Sequence, residues 1–574
     1  MTPQEASDTL KTWANHRGFS DAQRILEPDA RGWWRTREVS AAIAVRVTVG
    51  HYDIVLRIGV RADFPLTLPE VAVASCSATE GPPAALTLPH VSGDGKLCFT
   101  PDDGVVLDRH DAAGILDDSF ELAQATLTLA TGPHRGREFL DELADHWRVL
   151  AKAPAVRCDV EPGDVPRRIS AFLHKRALVA FADSQTGLAQ SYPSRAASQF
   201  TAVRALYVPL ECPSAASFEP VQLLAPDYLR GLCSAVPGIR KLLERDARTE
   251  EFVVLGVRTP NGRRVLLGLR ISADANQHPL LGGAAVFEAV SCERVDKAIL
   301  APRGGADAGL STARVVVIGC GAVGGHVAAA MARAGTGELC LIDPDNFKME
   351  NSFRHVCGMA HCGANKASGL AADLRRMLPH LEVTAEPKSI EEVVRRSPGF
   401  LQSFDLVVCA TGAPTLEMHL NELHWKARGG PIIFAWLEPL GLGQHLVLTN
   451  PRSQAGRGCL ECLWEHEPSG GLWNRAAFAA HGDYTRDLQG CGARHLPFAN
   501  LDAEELALSV SRLALEAMAG STRGPELRSR KGDPTAFRAE GRTPRSRFEL
   551  SQQELHDGRA DFGRATCPVC NRTP

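Results

Sequence analysis

Residues 314–324 read RVVVIGCGAVG, and residues 338–343 read ELCLID. The apolar run in the first stretch predicts a buried strand, and its glycines predict a tight turn that opens a helix. Such a turn lets phosphate groups approach the N-terminus of the helix. Asp343 ends the second stretch, where a carboxylate can hold ribose hydroxyl groups. The two stretches therefore predict a nucleotide site, at which NAD, FAD and ATP are all alternatives.

The same alternation of strands and helices continues towards the end of the chain, and it is typical of an α/β fold with a mostly parallel sheet covered on both faces. An amphipathic helix is predicted near 502–518. Residues 520–560 are rich in Arg, Gly, Pro and Ser and are predicted to be an irregular segment. The predicted strands are 315–318, 338–342, 406–410 and 432–435.

The first part of the chain has a different order: a helix, strand-like runs, a proline-rich loop and further helices. This order predicts an α+β domain. A hairpin is expected from runs 252–258 and 263–269, because an Asn-Gly turn joins them. Residues 301–306 look like a linker. The predicted division is 1–155, then 156–300 as a linker or intermediate domain without a chemistry motif, then 301–574.

The charge, hydropathy and cysteine content of the chain bear on whether it binds nucleic acid, spans a membrane or forms disulfides. The 574 residues carry 63 Lys and Arg against 67 Asp and Glu, a net charge of -4, which does not favour a nucleic-acid partner. The longest apolar stretch, 315–332, contains four glycines and His326, so we expect no membrane span. Sixteen cysteines without an export signal favour reduced thiols and a cytoplasmic protein.

Residues 343–355, DPDNFKMENSFRH, and 363–367, GANKA, resemble the signature of the ubiquitin-activating and ThiF/MoeB adenylating family. The resemblance implies a Rossmann-like adenylation domain, usually a homodimer, in which the C-terminal carboxylate of a partner protein attacks the α-phosphate of ATP. It assigns Asp343 to the ribose and Asn351, Arg354 and Lys366 to the phosphates, above the turn of Gly319, Gly321 and Gly324.

One position departs from that family. Its members usually hold Mg²⁺ through an acidic residue just after a later strand, whereas Gly412 stands there in this chain. Two readings follow: another acid, Asp345 or Glu417, holds Mg²⁺ together with ATP, or adenylation is impaired.

Two CxxC pairs predict a metal site. Cys459 with Cys462 and Cys567 with Cys570 can each present two thiolates on one turn, and four thiolates complete a tetrahedral Zn²⁺ site with no open position. The family resemblance includes a zinc site at this place, so a structural Zn²⁺ is expected. The alternative is chance spacing among the cysteines.

Cys491 lies between those pairs, with a glycine on each side. The glycines would leave its sulfur accessible, and Arg494 and His495 could favour the thiolate. It is therefore the candidate for the thiol that receives the activated carboxyl group. The alternative is a small buried apolar residue.

Residues 64–71, FPLTLPEV, and 88–98, LPHVSGDGKLC, resemble ubiquitin-conjugating enzymes. The resemblance makes Cys98 the acceptor thiol. It also places His90 where the family has an asparagine that helps stabilise the oxyanion, a role that an imidazole N–H could fill. The alternative is an inactive domain kept for binding.

The order conjugating-like then activating-like resembles bacterial fusion proteins of antiphage systems, especially those beside cGAS-like nucleotidyltransferases in CBASS operons. It implies activation of a partner's C-terminus, thioester relay from Cys491 to Cys98, and ligation to a target amine. The activated partner is expected to be such a nucleotidyltransferase or a dedicated bacterial ubiquitin-like protein. Alternatives are a non-catalytic scaffold for ubiquitin-like folds and an NAD-dependent oxidoreductase.

Overall fold

The computed structural model describes residues 1–19, 37–78, 87–100, 104–151, 153–184, 197–243, 249–274, 278–378, 380–453, 456–466, 471–480, 482–487 and 494–571. The chain forms two compact units, Met1–Asp296 and Lys297–Pro574.

The first part of the first unit is an antiparallel sheet of three strands in the order β1-β2-β3, with helices before and after it. The predicted α+β class is confirmed. The segment between β3 and α2 is pinned to the edge of β3, because the N–H of Val73 donates to the carbonyl oxygen of Gly95 and the N–H of Leu97 donates to that of Val71, each at 2.8 Å. This pairing places Cys98 beside the sheet. The elements are α1 Pro3–His16, β1 Val39–Val49, β2 Tyr52–Arg61, β3 Glu70–Ala78, α2 Ala112–Thr131, α3 Arg135–Asp141 and α4 Leu143–Leu150.

The second part of the first unit is an eight-stranded mixed sheet in the order β10-β9-β8-β7-β5-β6-β4-β11. Helices α3 and α4 pack into its core, where the indole N–H of Trp147 donates to the carbonyl oxygen of Gly268 at 2.9 Å. The predicted hairpin is β8 with β9, and Gly262 supplies the positive φ of its turn. The elements are β4 Val156–Asp159, β5 Arg167–His174, β6 Ala177–Ala182, β7 Thr201–Leu210, α5 Pro226–Ser234, α6 Ile239–Leu243, β8 Glu250–Arg258, β9 Arg264–Ala273, β10 Ala285–Val290 and β11 Cys292–Arg294.

The second unit is built on a seven-stranded sheet in the order β14-β13-β12-β15-β16-β17-β22. Neighbours from β14 to β16 are parallel, and β17 and β22 add antiparallel strands at one edge. Apolar cores cover both faces, which confirms the predicted α/β class. The strands are β12 Arg314–Ile318, β13 Glu338–Ile342, β14 Glu382–Glu386, β15 Leu406–Cys409, β16 Ile432–Leu437, β17 Gly443–Thr449, β18 Trp464–His466, β19 Leu472–Asn474, β20 Arg486–Asp487, β21 Arg494–His495 and β22 Glu526–Lys531. The helices are α7 Lys297–Arg303, α8 Ala322–Arg333, α9 Lys366–Met377, α10 Ile390–Arg396, α11 Pro414–Lys426, α12 Asn500–Met518, α13 Thr535–Ala539 and α14 Gln552–Asp557.

Helix α7 ends at Arg303, inside the predicted linker 301–306, and the role of that segment as a linker stays a prediction. One local prediction is wrong. Residues 520–560 are not wholly irregular, because they contain β22, in which Leu527 and Ser529 point into the protein. Alternate residues of that strand are charged, so its sequence lacks the apolar run by which the other strands of the sheet are predicted.

Candidate functional site

The glycine-rich turn of the second unit has the shape that its sequence predicts. Gly319 has φ +86°, and a Cβ there would lie 2.7 Å from the carbonyl oxygen of Ala410. A Cβ on Gly324 would lie 1.8 Å from the carbonyl oxygen of Gly319, so larger residues would displace the turn. A Cβ on Gly321 would meet no atom within 4 Å. The open space above Gly321, at the N-terminus of α8, is where a phosphate group could approach.

A cavity of about 670 Å³ lies at this turn and brings the predicted phosphate-facing residues together: Asn351, Arg354 and Lys366 all line it. Lys366 opens α9, and its Nζ lies 2.9 Å from Oδ2 of Asp345. The Arg354 guanidinium lies 5.8 Å from the ring centroid of Phe498. Two cationic groups and a helix N-terminus therefore face one space, which suits a polyanionic ligand such as a nucleoside triphosphate.

The carboxylate of Asp343 stabilises the glycine-rich turn by accepting two backbone hydrogen bonds. One carboxylate oxygen accepts the N–H of Cys320 at 2.7 Å, and the other accepts the N–H of Asp345 at 2.8 Å. Burial raises the pKa of Asp343 in spite of these two bonds. Asp343 is outside the described lining of the cavity, and its assignment to the ribose stays a prediction.

His355 fixes the same turn, a role that the sequence analysis missed. Its Nε2 lies 2.6 Å from the carbonyl oxygen of Cys320, and its Nδ1 accepts the N–H of Cys357 at 3.0 Å. These bonds assign the neutral tautomer with the proton on Nε2. Burial lowers the pKa of His355 to about 4. The quoted run contains this histidine, but nothing in the sequence shows which carbonyl it reaches.

Gly412 has φ +64°, and its loop is held by Glu417. Oε1 of Glu417 accepts the Thr411 hydroxyl at 2.8 Å and the Gly412 N–H at 3.0 Å. Glu417 is 4% exposed, and burial raises its pKa. Glu417 and Asp345 are the two acids predicted as possible Mg²⁺ ligands. Glu417 lines the cavity, whereas Asp345 is outside its described lining and pairs with Lys366.

The four cysteines of the CxxC pairs meet in one buried cluster, in which all four Sγ atoms lie within 4.8 Å of one another. The Sγ atoms of Cys459 and Cys567 are 3.7 Å apart, and those of Cys462 and Cys570 are 3.5 Å apart. A tetrahedral site with Zn–S bonds of 2.3 Å has sulfur atoms about 3.8 Å apart. The geometry and the donor set therefore fit a closed Zn²⁺ site.

Cys491 lies outside the described residues. Its neighbours Arg494 and His495 line the cavity, and Arg494 pairs with Asp483. The predicted role of Cys491 as a receiving thiol stays a prediction.

In the first unit, Cys98 is exposed and lines a cleft of about 490 Å³ together with His90. The N–H of Cys98 donates to the carbonyl oxygen of His90 at 2.8 Å. Partial burial, and then the nearby carboxylate of Glu142, raise the pKa of the Cys98 thiol. At neutral pH Cys98 is therefore a protonated thiol, and the residue is exposed to solvent.

His90 sits in a left-handed backbone conformation, φ +63°, between two carboxylates that the sequence analysis did not single out. Its Nδ1 lies 2.6 Å from Oε1 of Glu142, and its Nε2 lies 3.0 Å from Oε2 of Glu138. The bond to Glu142 is the main cause of the raised pKa of His90. To stabilise an oxyanion, Nε2 would have to release Glu138, so that role stays a prediction.

No helix in the described part of the chain combines the length and the apolar character that a bilayer crossing requires.

Comparison with protein families finds two matches: the ThiF family matches residues 299–494, and Prokaryotic E2 family B matches residues 34–156. The first match covers the glycine-rich turn, Arg354 and Lys366. The second covers His90 and Cys98. The predicted fusion of a conjugating-like domain with an adenylation domain is thereby confirmed.

Several curated relatives are named ATP-dependent ubiquitin transferase-like protein Cap2. That of Pseudomonas aeruginosa (strain BWHPSA011) is 28% identical over 223 residues, which is 36% of this chain and 37% of the relative. That of Escherichia coli (strain TW11681) is 23% identical over 316 residues, 52% of this chain and 49% of the relative. The chain thus spans half or less of these relatives. A crystal structure of E. coli MccB with ATP is 19% identical, with a TM-score of 0.32, over 46% of this chain and 68% of MccB.

Proposed function

We propose that this chain, which joins a Prokaryotic E2 family B domain to a ThiF family domain, activates the C-terminal carboxylate of a partner protein with ATP and transfers it to a target amine. The observation that carries the proposal is the pairing, in one chain, of two sites. One is a cavity lined by Asn351, Arg354 and Lys366, and the other is a cleft with the exposed thiol of Cys98.

The first step is adenylation in the second unit. A carboxylate oxygen of the partner attacks the α-phosphorus of ATP, and pyrophosphate leaves. Negative charge grows on phosphoryl oxygens, and Arg354 and Lys366 offset it from fixed positions. Asp345 holds the Lys366 ammonium at 2.9 Å, and His355 holds the turn that carries Gly321. The cavity, the cationic side chains of Arg354 and Lys366 and the N-terminus of α8 fit the phosphates of ATP.

Two metals belong to the proposal. Glu417 is the acid that would hold Mg²⁺ in place of the missing aspartate at Gly412, because this residue lines the cavity and its Oε1 accepts the Gly412 N–H. Zn²⁺, which would supply a structural cross-link when bound, fits the cluster of Cys459, Cys462, Cys567 and Cys570.

The second step is a thioester relay. The thiolate of Cys491 attacks the acyl-adenylate carbonyl carbon and AMP leaves; Cys98 then attacks the new thioester and Cys491 leaves. The two thioesters have similar energy, so positioning limits this transfer. Ligation follows when a target amine attacks the thioester on Cys98.

We propose that the second unit forms a homodimer. Phe353 is 94% exposed and Met349 is also exposed, and both lie on the segment that carries Asn351 and Arg354. Apolar side chains this exposed beside a site are typical of an interface.

Fifteen described cysteines are all free, which supports a reducing, cytoplasmic setting.

The activated partner is proposed to be a cGAS-like nucleotidyltransferase in bacterial antiphage (CBASS) defence, as the Cap2-named relatives and the order of the two domains suggest. A dedicated bacterial ubiquitin-like protein is the second candidate, and both present a free C-terminal carboxylate. Proteins encoded beside this chain are therefore the substrates to test.

The test incubates the full chain with ATP, Mg²⁺ and each neighbouring candidate protein, and measures ATP–pyrophosphate exchange and reductant-sensitive adducts. Lys366→Ala should lower exchange by roughly 10²–10³-fold, since fixed charge of this kind contributes about 3–4 kcal/mol. Lys426→Ala is the matched control: that lysine also pairs with one carboxylate, Glu422, but lies outside the described lining of the cavity.

Two cysteine variants separate the later steps. Cys491→Ala should keep exchange and lose both thioesters, whereas Cys98→Ala should accumulate the adduct on Cys491 and lose conjugation. Normal loading of Cys98 in Cys491→Ala would show direct transfer from the adenylate. No exchange with any candidate, together with tight binding of a ubiquitin-like fold, would support the scaffold reading instead.

A further inference from the structure

A buried carboxylate at the carboxyl end of β16 has no task in the steps described so far. Glu438 directly follows that strand, is 4% exposed and lines the cavity that the proposed function assigns to ATP. Its Oε1 accepts the backbone N–H of Phe478 at 3.2 Å, and its Oε2 accepts that of Ala479 at 3.1 Å. One carboxylate thus holds two consecutive peptide groups that are distant in the chain.

A series of side-chain hydrogen bonds holds this carboxylate in turn. A carboxylate oxygen accepts, so the imidazole Nε2 of His445, 3.1 Å from Oε1 of Glu438, carries the ring proton and donates it. With the proton on Nε2, Nδ1 accepts the hydroxyl of Ser529 at 2.9 Å. Oγ of Ser529 accepts Nη2 of Arg547, also at 2.9 Å. His445 is 0% exposed, so water does not compete for these bonds.

Other groups fix the same segment, residues 476–479, which we call the wall segment. Nε of Arg547 donates to the carbonyl oxygen of Ala476 at 3.1 Å, and the N–H of Arg545 donates to that of Phe478 at 2.7 Å. The Phe478 ring is fully buried in an apolar cluster. The wall segment has no regular secondary structure, so these bonds, rather than a helix or a strand, fix its backbone.

The wall segment borders the cavity. Ala477 and Ala479 both line it, with methyl side chains that take up little of its space. The carbonyl oxygens of these two alanines accept no hydrogen bond from the part of the chain that the structure describes. They are therefore acceptors for N–H groups that a ligand brings into the cavity.

The other parts of the proposed ligand already have their residues. Arg354 and Lys366 are assigned to the phosphates, and Asp343, which is assigned to the ribose, lies outside the described lining of the cavity. The wall segment is left for the group that attacks the α-phosphate, which is the C-terminal end of the partner protein. Backbone carbonyl oxygens recognise an extended peptide through its main chain, whatever its side chains.

We propose that Glu438 is a positioning residue for adenylation: it fixes the wall segment so that the two alanine carbonyl oxygens receive the main chain of the partner's last residues. His445 holds Glu438 for this task. Both act through the backbone of the wall segment and not on the reacting atoms. The inference deepens the proposed function and rests on its assignment of this cavity to ATP and to the partner's carboxylate.

The test measures binding and needs neither a partner protein nor turnover. Calorimetry with the full chain compares 5′-O-sulfamoyladenosine with the same compound acylated on its sulfamate nitrogen by N-acetyl-glycylglycine. The acylated ligand imitates an acyl-adenylate but has no phosphate to release. We expect the wild-type chain to bind the acylated ligand roughly 10–100-fold more tightly than the parent compound.

Glu438→Gln replaces one of the two acceptor oxygens by an NH₂ group, which then faces a backbone N–H. A buried donor without an acceptor is costly, so the wall segment should shift. The preference for the acylated ligand should fall by about tenfold or more, and the affinity for the parent compound should change by less than about twofold. Binding of the parent compound also shows that the variant is folded.

Two histidine variants test the bond to Nε2. His445→Gln places a side-chain nitrogen near the position of Nε2 and can still donate to Glu438, whereas His445→Asn places one near Nδ1 and cannot. The first should keep the preference for the acylated ligand, and the second should lose it. His424→Asn is the matched control: His424 is 1% exposed, its Nε2 lies 2.8 Å from the carbonyl oxygen of Gly430, and it is outside the described lining. It should keep the preference.

Four results would overturn the inference in different places. An unchanged preference in Glu438→Gln, or an equal loss of affinity for both ligands, would overturn the positioning role of Glu438. The same preference in His445→Gln and His445→Asn would remove His445 from it. A wild-type chain that binds both ligands equally would overturn the assignment of the wall segment. Binding of neither ligand by the wild type would contradict the ATP site of the proposed function, on which this inference rests.

Discussion

The four-cysteine cluster allows a prediction that needs no partner protein. It connects two chain segments that lie about 100 residues apart in sequence, and closing a loop of that length restricts the unfolded chain by roughly 4–5 kcal/mol in the cross-link model. Each kcal/mol corresponds to about 2–4 °C in the melting temperature of a unit of this size. Cys462→Ser should therefore lose its Zn²⁺ and lower that temperature by about 10–20 °C.

The assay combines elemental analysis with thermal unfolding of the full chain. Stripping Zn²⁺ from the wild-type protein with a chelator identifies which melting transition belongs to the second unit, and the same transition should shift in Cys462→Ser. Cys409→Ser is the matched control: Cys409 is buried in the same apolar core but lies outside the cluster, so this variant should keep one Zn²⁺ per chain.

Two results would refute the reasoning. One is purified wild-type protein that contains no Zn²⁺ and whose four thiols are all alkylated in the native state. The other is Cys462→Ser that keeps one metal ion per chain and melts within about 2 °C of wild type.

Two further predictions concern the second unit. Glu417→Gln keeps an oxygen for the Thr411 hydroxyl but removes the negative charge. It should therefore raise the Mg²⁺ concentration that gives half-maximal pyrophosphate exchange at least tenfold. A larger change in Asp345→Asn would assign the metal to Asp345. Burial lowers the pKa of His355 to about 4, so below about pH 6.5 only the unfolded imidazole gains a proton. Acidification from pH 7 to 4 should thus remove about 3 kcal/mol of stability, measured by urea unfolding across that range; a pH slope equally steep in His355→Gln would contradict this.

The sequence predicts the second unit well, because its signals are local. Several short runs contain four consecutive apolar residues each, and this pattern predicts buried parallel strands. The turn at Gly319 is predicted from glycines that lie close together in the sequence. Arg354 and Lys366 come together because one connection carries both: Arg354 lies between β13 and α9, and Lys366 opens α9. That connection leaves the carboxyl end of β13, the edge of a parallel sheet at which ligands bind.

The sequence does not predict features that depend on distant neighbours. Strand β22 carries charge on alternate residues and needs β17 beside it to be recognised as a strand. In the eight-stranded sheet, three of the seven pairings join strands that are not consecutive in the chain: β7 with β5, β6 with β4, and β4 with β11.

The candidate sites show the same limit. His90 meets Glu138, which stands 48 positions away in the chain, and no motif links the two. The contact of His355 with the carbonyl oxygen of Cys320 also joins residues on different loops. Sequence analysis thus identifies the groups that would touch ATP and the thioester more readily than the groups that hold them in place.

The spacing of the two CxxC pairs also affects how the protein is made. Cys459 and Cys462 leave the ribosome long before Cys567 and Cys570, which together complete the cluster. At about 5–20 residues per second, the first pair waits roughly 5–20 s for the second. During that time the first two thiols of the proposed Zn²⁺ site lack their partners and can react with oxidants or bind other metals. The proposal therefore predicts that the yield of zinc-loaded protein depends on translation speed and on the zinc supply of the cell.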